Sequence, residues 1–214
     1  MLIASRNKEE IETLKTQLSQ EFEMKDLGEA KKILGMEISR DRKLGRLYLN
    51  QKQYLKTVLK RFVMNEQSKP VITPLAPHFK LSASVCPQND EEHAYMAKVP
   101  YANAIGSLMY AMVCMRSDIS QAVGVVSRYM HDPGKEHWQA VKWIMRYILN
   151  TVDVGLIFEQ DENMGQCVGY CDSDYAGDLD KRRSTTGYVF TLAKAPVSWK
   201  STLQSTIALS RKEA

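Results

Sequence analysis

Three carboxylates stand close together in the stretch CDSDYAGD, at Asp172, Asp174 and Asp178. Side chains alternate along an extended strand, so Asp172 and Asp174 would share a face, where carboxylates can help hold a hard cation such as Mg²⁺. One strand cannot complete that site. Mg²⁺ takes near-octahedral oxygen ligation, and two-metal phosphodiester hydrolysis draws carboxylates from several elements. The plain alternative is that acidic residues at a strand end mark a solvated turn. Lys181, Arg182 and Arg183 follow directly, placed either to meet a phosphate backbone or to face water. Trp199 beside Lys200 offers either a ring for stacking on a base or an ordinary core residue.

A second group is cationic. Lys52, Lys56, Lys60 and Arg61 occupy one side of a segment whose other side carries Tyr54, Leu55, Val58, Leu59 and Phe62. That is the pattern of a helix lying along a nucleic-acid backbone, and equally of a solvated helix face. Other chemistry is thin. His78, His93, His131 and His137 are scattered, and the spacing of the last two suits no zinc pair. Cys86, Cys114, Cys167 and Cys171 form no CxxC pair, so reduced thiols in an intracellular setting are expected. No P-loop, GxGxxG or GxSxG sequence is present.

The elements that must position these residues alternate in period. The 214 residues, 44% hydrophobic and 25% charged with a net charge of +4, can bury one large or two small cores. No apolar run approaches the ~18 residues of a membrane span, and no secretory signal is read at the N-terminus. Asn7 and Glu10 have the form of a capping box, opening a helix whose Ile11, Leu14, Leu18 and Phe22 should form a buried stripe. KKILGMEIS and RLYLN, with a polar turn between them, predict a β-hairpin, and Asn50 should cap the cationic helix. Prolines and polar residues from Lys69 to about Pro100 predict a linker draped over a neighbour.

Three amphipathic helices should follow. Their apolar faces are Ile105, Leu108, Met109, Met112 and Val113, then Ile119, Ala122, Val123 and Val126, then Trp138, Val141, Met145, Ile148 and Leu149. Ser117 is the expected N-cap of the middle one. Short connections predict that the three pack together. Finally CVGYCDSDYAG, TGYVFTLAKAPVSWKS and STIALS predict three strands, giving an α+β chain.

These segments converge on one family. LIASRNKEEIETLK, FEMKDLGEAKKILGMEI, VPYANAIGSLMYAM, VSRYMHDPGKEHWQAVKWIMRYI, GYCDSDYAGDLDKRRSTTGYVF and VSWKSTLQSTIALS, in this order, resemble the copia-type retrotransposon polyproteins of plants. The resemblance implies reverse transcriptase and RNase H activities in the parent protein, with Mg²⁺ as cofactor and an RNA:DNA hybrid as partner. It divides the chain into a palm edge and thumb-like segment (1–68), a linker (69–100), a helical connector (101–150) and a partial RNase H-like domain (151–214). Leu34 and Gly35 would lie in the hairpin that grips the primer, and the helix from Gln51 to Phe62 would be thumb-like.

Asp172 maps onto the first RNase H carboxylate, which bridges two Mg²⁺ ions in the family. The family's Tyr-x-Asp-Asp motif would precede Met1, and the next RNase H carboxylate would fall just beyond Ala214. The expectation is therefore a fragment that binds no Mg²⁺ and is inactive alone. The alternative is a non-enzymatic nucleic-acid-binding or domesticated interaction protein. The oligomeric state is left open.

Overall fold

In the computed structural model, residues 2–64, 69–160 and 165–213 are described, and they form an α+β fold. Met1, the boundary placed at residue 68 and the end at Ala214 lie outside the described residues. The first helix, α1, runs Lys8–Glu21 because the Asn7 side chain accepts from the Glu9 amide at 2.9 Å. Glu10 does not close the expected capping box on Asn7. It accepts instead from the Ser5 hydroxyl at 2.6 Å, whose oxygen takes the Asn7 amide. The expected buried stripe is also absent: no residue of α1 is buried, and Leu14 and Phe22 are exposed. Periodicity makes a helix amphipathic, but a stripe is buried only where another surface covers it.

The β-hairpin forms as expected. Strands β1 (Lys32–Ile33), β2 (Met36–Asp41) and β3 (Arg46–Asn50) pair antiparallel, and Asp41 Oδ1 accepts from the Lys43 and Leu44 amides to shape the β2–β3 turn. A fourth strand, β4 (Leu156–Glu159), adds to the free edge of β3, so a segment more than 100 residues away completes this sheet. Helix α2 (Lys52–Arg61) follows β3, with the Asn50 side chain accepting from the Lys52 amide.

A single apolar core joins α2 to the helices α4 (Tyr101–Cys114), α5 (Ser120–Ser127) and α6 (Lys135–Asn150). Leu55 and Leu59 meet Ile105, Leu108, Val123, Val126, Val141, Ile144 and Ile148, each contributing about 1.5–3 kcal/mol by burial. The faces of α5 and α6 lie as expected. That of α4 is rotated: Tyr101, Ala104, Ile105, Leu108 and Ala111 are buried, whereas Met109 and Val113 face outward. Ser107 is buried on the inner side, where the Tyr54 hydroxyl donates to its carbonyl, so the polar residue hid the true face.

Ser117 does not cap α5. It starts a 3₁₀ turn, Ser117–Ile119, whose shape follows from the buried Arg116. The guanidinium grips Asp118 through two bonds of 2.9 and 2.7 Å and also donates to the carbonyl and hydroxyl of Thr151 at the end of α6. Burial works to raise the Asp118 pKa, but Arg116 and the Tyr147 hydroxyl more than offset it and hold the carboxyl below its ordinary value.

Residues 69–100 strap this helical unit. Val71, Ala76, Leu81 and Met96 are buried, Trp143 and Arg146 of α6 donate to the carbonyls of Thr73 and Lys69, and an unexpected helix, α3 (Asp90–Met96), starts at Asn89. The strap crosses the start of α6 so closely that a Cβ on Gly134 would lie 1.9 Å from the Val85 carbonyl oxygen. His137 sits beneath, fully buried, its Nδ1 accepting from the Gly134 amide at 2.8 Å and its ring stacked on Tyr129 at 4.0 Å.

The C-terminal sheet has the order β5 (Val168–Ser173), β6 (Thr185–Leu192), β7 (Ala195–Leu203). Three strands were expected, but they divide differently. TGYVFTLAKAPVSWKS makes both β6 and β7, turning at Ala193 and Lys194 with positive φ, and STIALS forms no strand. Trp199 donates to the Met112 carbonyl at 3.0 Å and so docks β7 onto α4.

Two outcomes follow. Arg116→Ala should lower stability by about 3 kcal/mol in urea denaturation, because Asp118 and Thr151 lose their partner; a loss under about 1 kcal/mol would refute this role. Burial, only partly opposed by the Ser82 backbone, Asp180 and Asp132, depresses the His137 pKa. Its contribution is therefore present above the unfolded-state value of about 6.5 and is lost as pH falls through the folded value. Histidine-to-phenylalanine replacement at 137 should flatten the decline in melting temperature below about pH 6.5.

Candidate nucleic-acid interface and acidic site

The tip of the first hairpin is a two-residue turn in which both Leu34 (φ 47°) and Gly35 (φ 72°) are left-handed. This conformation costs a leucine roughly 1 kcal/mol. It is held by the Tyr110 hydroxyl of α4, which donates to the Leu34 carbonyl at 2.6 Å, while the Leu34 side chain stays exposed. The Tyr110 ring lies 5.1 Å from that of Tyr54 on α2. The hairpin tip and α2 are thus brought together on α4. On the outer side of α2, Lys52, Lys56 and Lys60 recur every four residues and are exposed. Lys52 is ion-paired with Asp153, whose carboxyl it holds below the ordinary range.

The acidic stretch separates into two parts. Asp172 lies on β5, exposed, with Oδ1 accepting from the Ser173 amide. Its register neighbours are Gly187 and, across β6, Ser201. Asp174 does not share its strand face. The strand ends at Ser173, and the Asp174 carboxylate accepts from the Thr185 amide while its own amide donates to the Thr185 carbonyl. The nearby hollow lined by Ser173, Asp174, Tyr175 and Arg211 has a volume of about 340 Å³. Among the described residues no three His, Cys, Asp or Glu side chains converge as metal ligands, so this donor set does not fit a Mg²⁺ pair.

Asp178 and Asp180 are tied to other parts of the chain instead, the first buried and the second exposed. Asp178 is 4% exposed and accepts from Arg128 Nη1 at 3.0 Å and from the Lys181 amide at 2.8 Å. Asp180 accepts from the Ala83 amide at 2.8 Å and from the Tyr129 hydroxyl at 3.0 Å. Arg182 is exposed in a left-handed conformation, and Arg183 is half-buried with its carbonyl accepting from the Asp178 amide. The cations of this loop and those of α2 lie on separate elements. Asp180, Arg128 and Tyr129 carried no local signal in the sequence, since their partners stand some 50 or 100 residues away.

The three aspartates should therefore respond differently to alanine. Urea denaturation should show Asp172→Ala within about 0.5 kcal/mol of the parent, Asp174→Ala about 1–2 kcal/mol lower and Asp178→Ala about 3 kcal/mol lower. A reversed order for Asp172 and Asp178 would contradict the division.

Comparison with known proteins shows what the sequence is similar to. Residues 1–77 match the family model described as reverse transcriptase (RNA-dependent DNA polymerase). The chain is 53% identical over its full length to the Retrovirus-related Pol polyprotein from transposon TNT 1-94 of Nicotiana tabacum, covering 16% of that protein. It is 39% identical over 197 residues, 92% of the chain, to the Retrovirus-related Pol polyprotein from transposon RE1 of Arabidopsis thaliana, covering 13% of it. It is also 48% identical over 118 residues, 55% of the chain, to the Secreted RxLR effector protein 161 of Plasmopara viticola, covering 82% of that protein. No solved structure matches. The chain spans about a sixth of the first of these Pol polyproteins and less of the second. No helix among the described residues is long and apolar enough to cross a membrane. The matched model and the full-length likeness agree, and the chain belongs to the reverse transcriptase family of copia-type retrotransposon Pol polyproteins.

Proposed function

We propose that this chain is the nucleic-acid-holding part of a retrotransposon reverse transcriptase, joined through a helical connector to the first strands of an RNase H-like domain. By itself it catalyses neither DNA synthesis nor hydrolysis of an RNA:DNA hybrid. The observation that carries the reading is the joint fixing of the hairpin tip and the cationic helix: Tyr110 holds the Leu34 carbonyl and packs on Tyr54. One rigid core thus supports both a tight turn and a row of lysines, as sequence-independent grip of a sugar-phosphate backbone requires.

The RNase H-like reading is supported by the GYCDSDYAGD resemblance and by the antiparallel order of β5, β6 and β7. Asp172 is its first carboxylate. No Tyr-x-Asp-Asp sequence occurs in the 214 residues, and Asp174 is engaged with the backbone, which supports inactivity of the chain alone. The reverse transcriptase family generally uses Mg²⁺ and binds nucleic acid. The four cysteines, free in the structure, support an intracellular setting.

A second reading is favoured by one observation. The effector protein of Plasmopara viticola is covered to 82% by this chain, so most of a much shorter protein shares this sequence. On that reading the helical unit serves as a non-enzymatic interaction module.

Binding of the purified chain to a short RNA:DNA hybrid separates the two. The nucleic-acid reading expects affinity that falls with salt, and a salt slope smaller by about one for each lysine replaced in Lys56→Glu and Lys60→Glu. Absence of binding at low salt would leave only the interaction module. Hybrid cleavage in the presence of Mg²⁺ would overturn the inactivity.

A further inference from the structure

We infer that Asp180 is a latch coupling the linker strap to the C-terminal sheet, so that the two are released from the helical unit together. The observation is a junction of four segments. Asp180 Oδ1 accepts from the Ala83 amide of the strap at 2.8 Å, and its Oδ2 lies 3.0 Å from the Tyr129 hydroxyl. That same hydroxyl lies 3.0 Å from the Leu81 carbonyl, so one proton is shared between the strap and the loop. Tyr129 in turn stacks on His137, and Gly134 admits the Val85 backbone at close range.

The strap and the loop have separate anchors, Trp143 and Arg146 for the strap and Arg128 for the loop, and at this junction they are bonded to each other. The strap contributes a backbone donor and a backbone acceptor and no charged side chain to the junction, and the loop supplies the one carboxylate that bridges them. Loss of Asp180 removes a charge-assisted bond to the Ala83 amide and another to the hydroxyl of the buried Tyr129, so loss of the loop weakens the strap and the reverse. Burial, the bond to Asp180 and the nearby carboxylates all raise the Tyr129 pKa, so the phenol keeps the proton the junction needs. Asp178 reinforces the loop side through Arg128, the residue before Tyr129 and just after α5.

The coupling has a direction in the chain. The strap follows α2, which carries the lysine row, and the loop follows β5, which carries Asp172. This inference is independent of whether the chain binds nucleic acid.

Hydrogen exchange of the full chain, read by mass spectrometry on peptides covering 79–86 and 174–184, tests it. In Asp180→Ala both peptides should exchange about tenfold faster, while those covering 104–111 and 140–148 stay as protected as in the parent. Tyr129→Phe keeps the ring stacked on His137 and removes only the hydroxyl; it should reproduce the same paired effect, and it serves if Asp180→Ala fails to fold. Faster exchange confined to 174–184, unchanged exchange in both peptides, or an equal rise across all four would each overturn the latch.

Discussion

A carboxylate as buried as Asp178 has to be neutralised, and Arg128 does it across two parts of the chain. With Asp180 on Tyr129 and Ala83, this places the β5–β6 loop on the helical unit; Trp199 places β7. Without these contacts the three-stranded sheet would be a small, largely exposed structure, for every residue of β5 is solvent-facing. The packing of β7 against α5 and β4 and the polar tethers together set where it sits.

The helical unit can bear this because its core is continuous. Leu55 and Leu59 of α2 pack into the same apolar cluster as α4, α5 and α6, and Arg116 closes the corner between α4 and the end of α6. Everything implicated in function is attached to that body: the hairpin tip through Tyr110, the lysine row through α2 itself, and Asp172 through β7 and the acidic loop. By contrast α1 has the pattern of a core helix and buries nothing. Its apolar side chains are therefore no guide to the core.

Much of the architecture was legible because it depends on local chemistry. The β2–β3 turn follows from an Asp that caps two amides, α2 from the spacing of Leu55, Val58 and Leu59, although its N-cap is Gln51 and not the expected Asn50, and α6 from a stripe repeating along 16 residues. Where the reading erred, a tertiary partner outvoted local pattern. The α4 face was misplaced because Ser107 is buried, its carbonyl bonded by Tyr54, whereas Met109 is exposed. Ser117 lost its cap position because Arg116 pulled Asp118 into the turn. Asp174 left the strand face because Thr185 offered it a backbone donor.

By itself the sequence determined the α+β order of elements and the family of the chain, since periodicity, turn chemistry and motif likeness are all properties of neighbouring residues. Only the tertiary structure decided which aspartates of CDSDYAGDLD stay open to solvent and which are tied into the fold. Four carboxylates within nine residues look alike along the chain; Asp172 stays open to solvent, whereas Asp178 and Asp180 meet donors contributed from some 50 and 100 residues away. Burial and long-range partners distinguish them, and neither is written in the local order of residues.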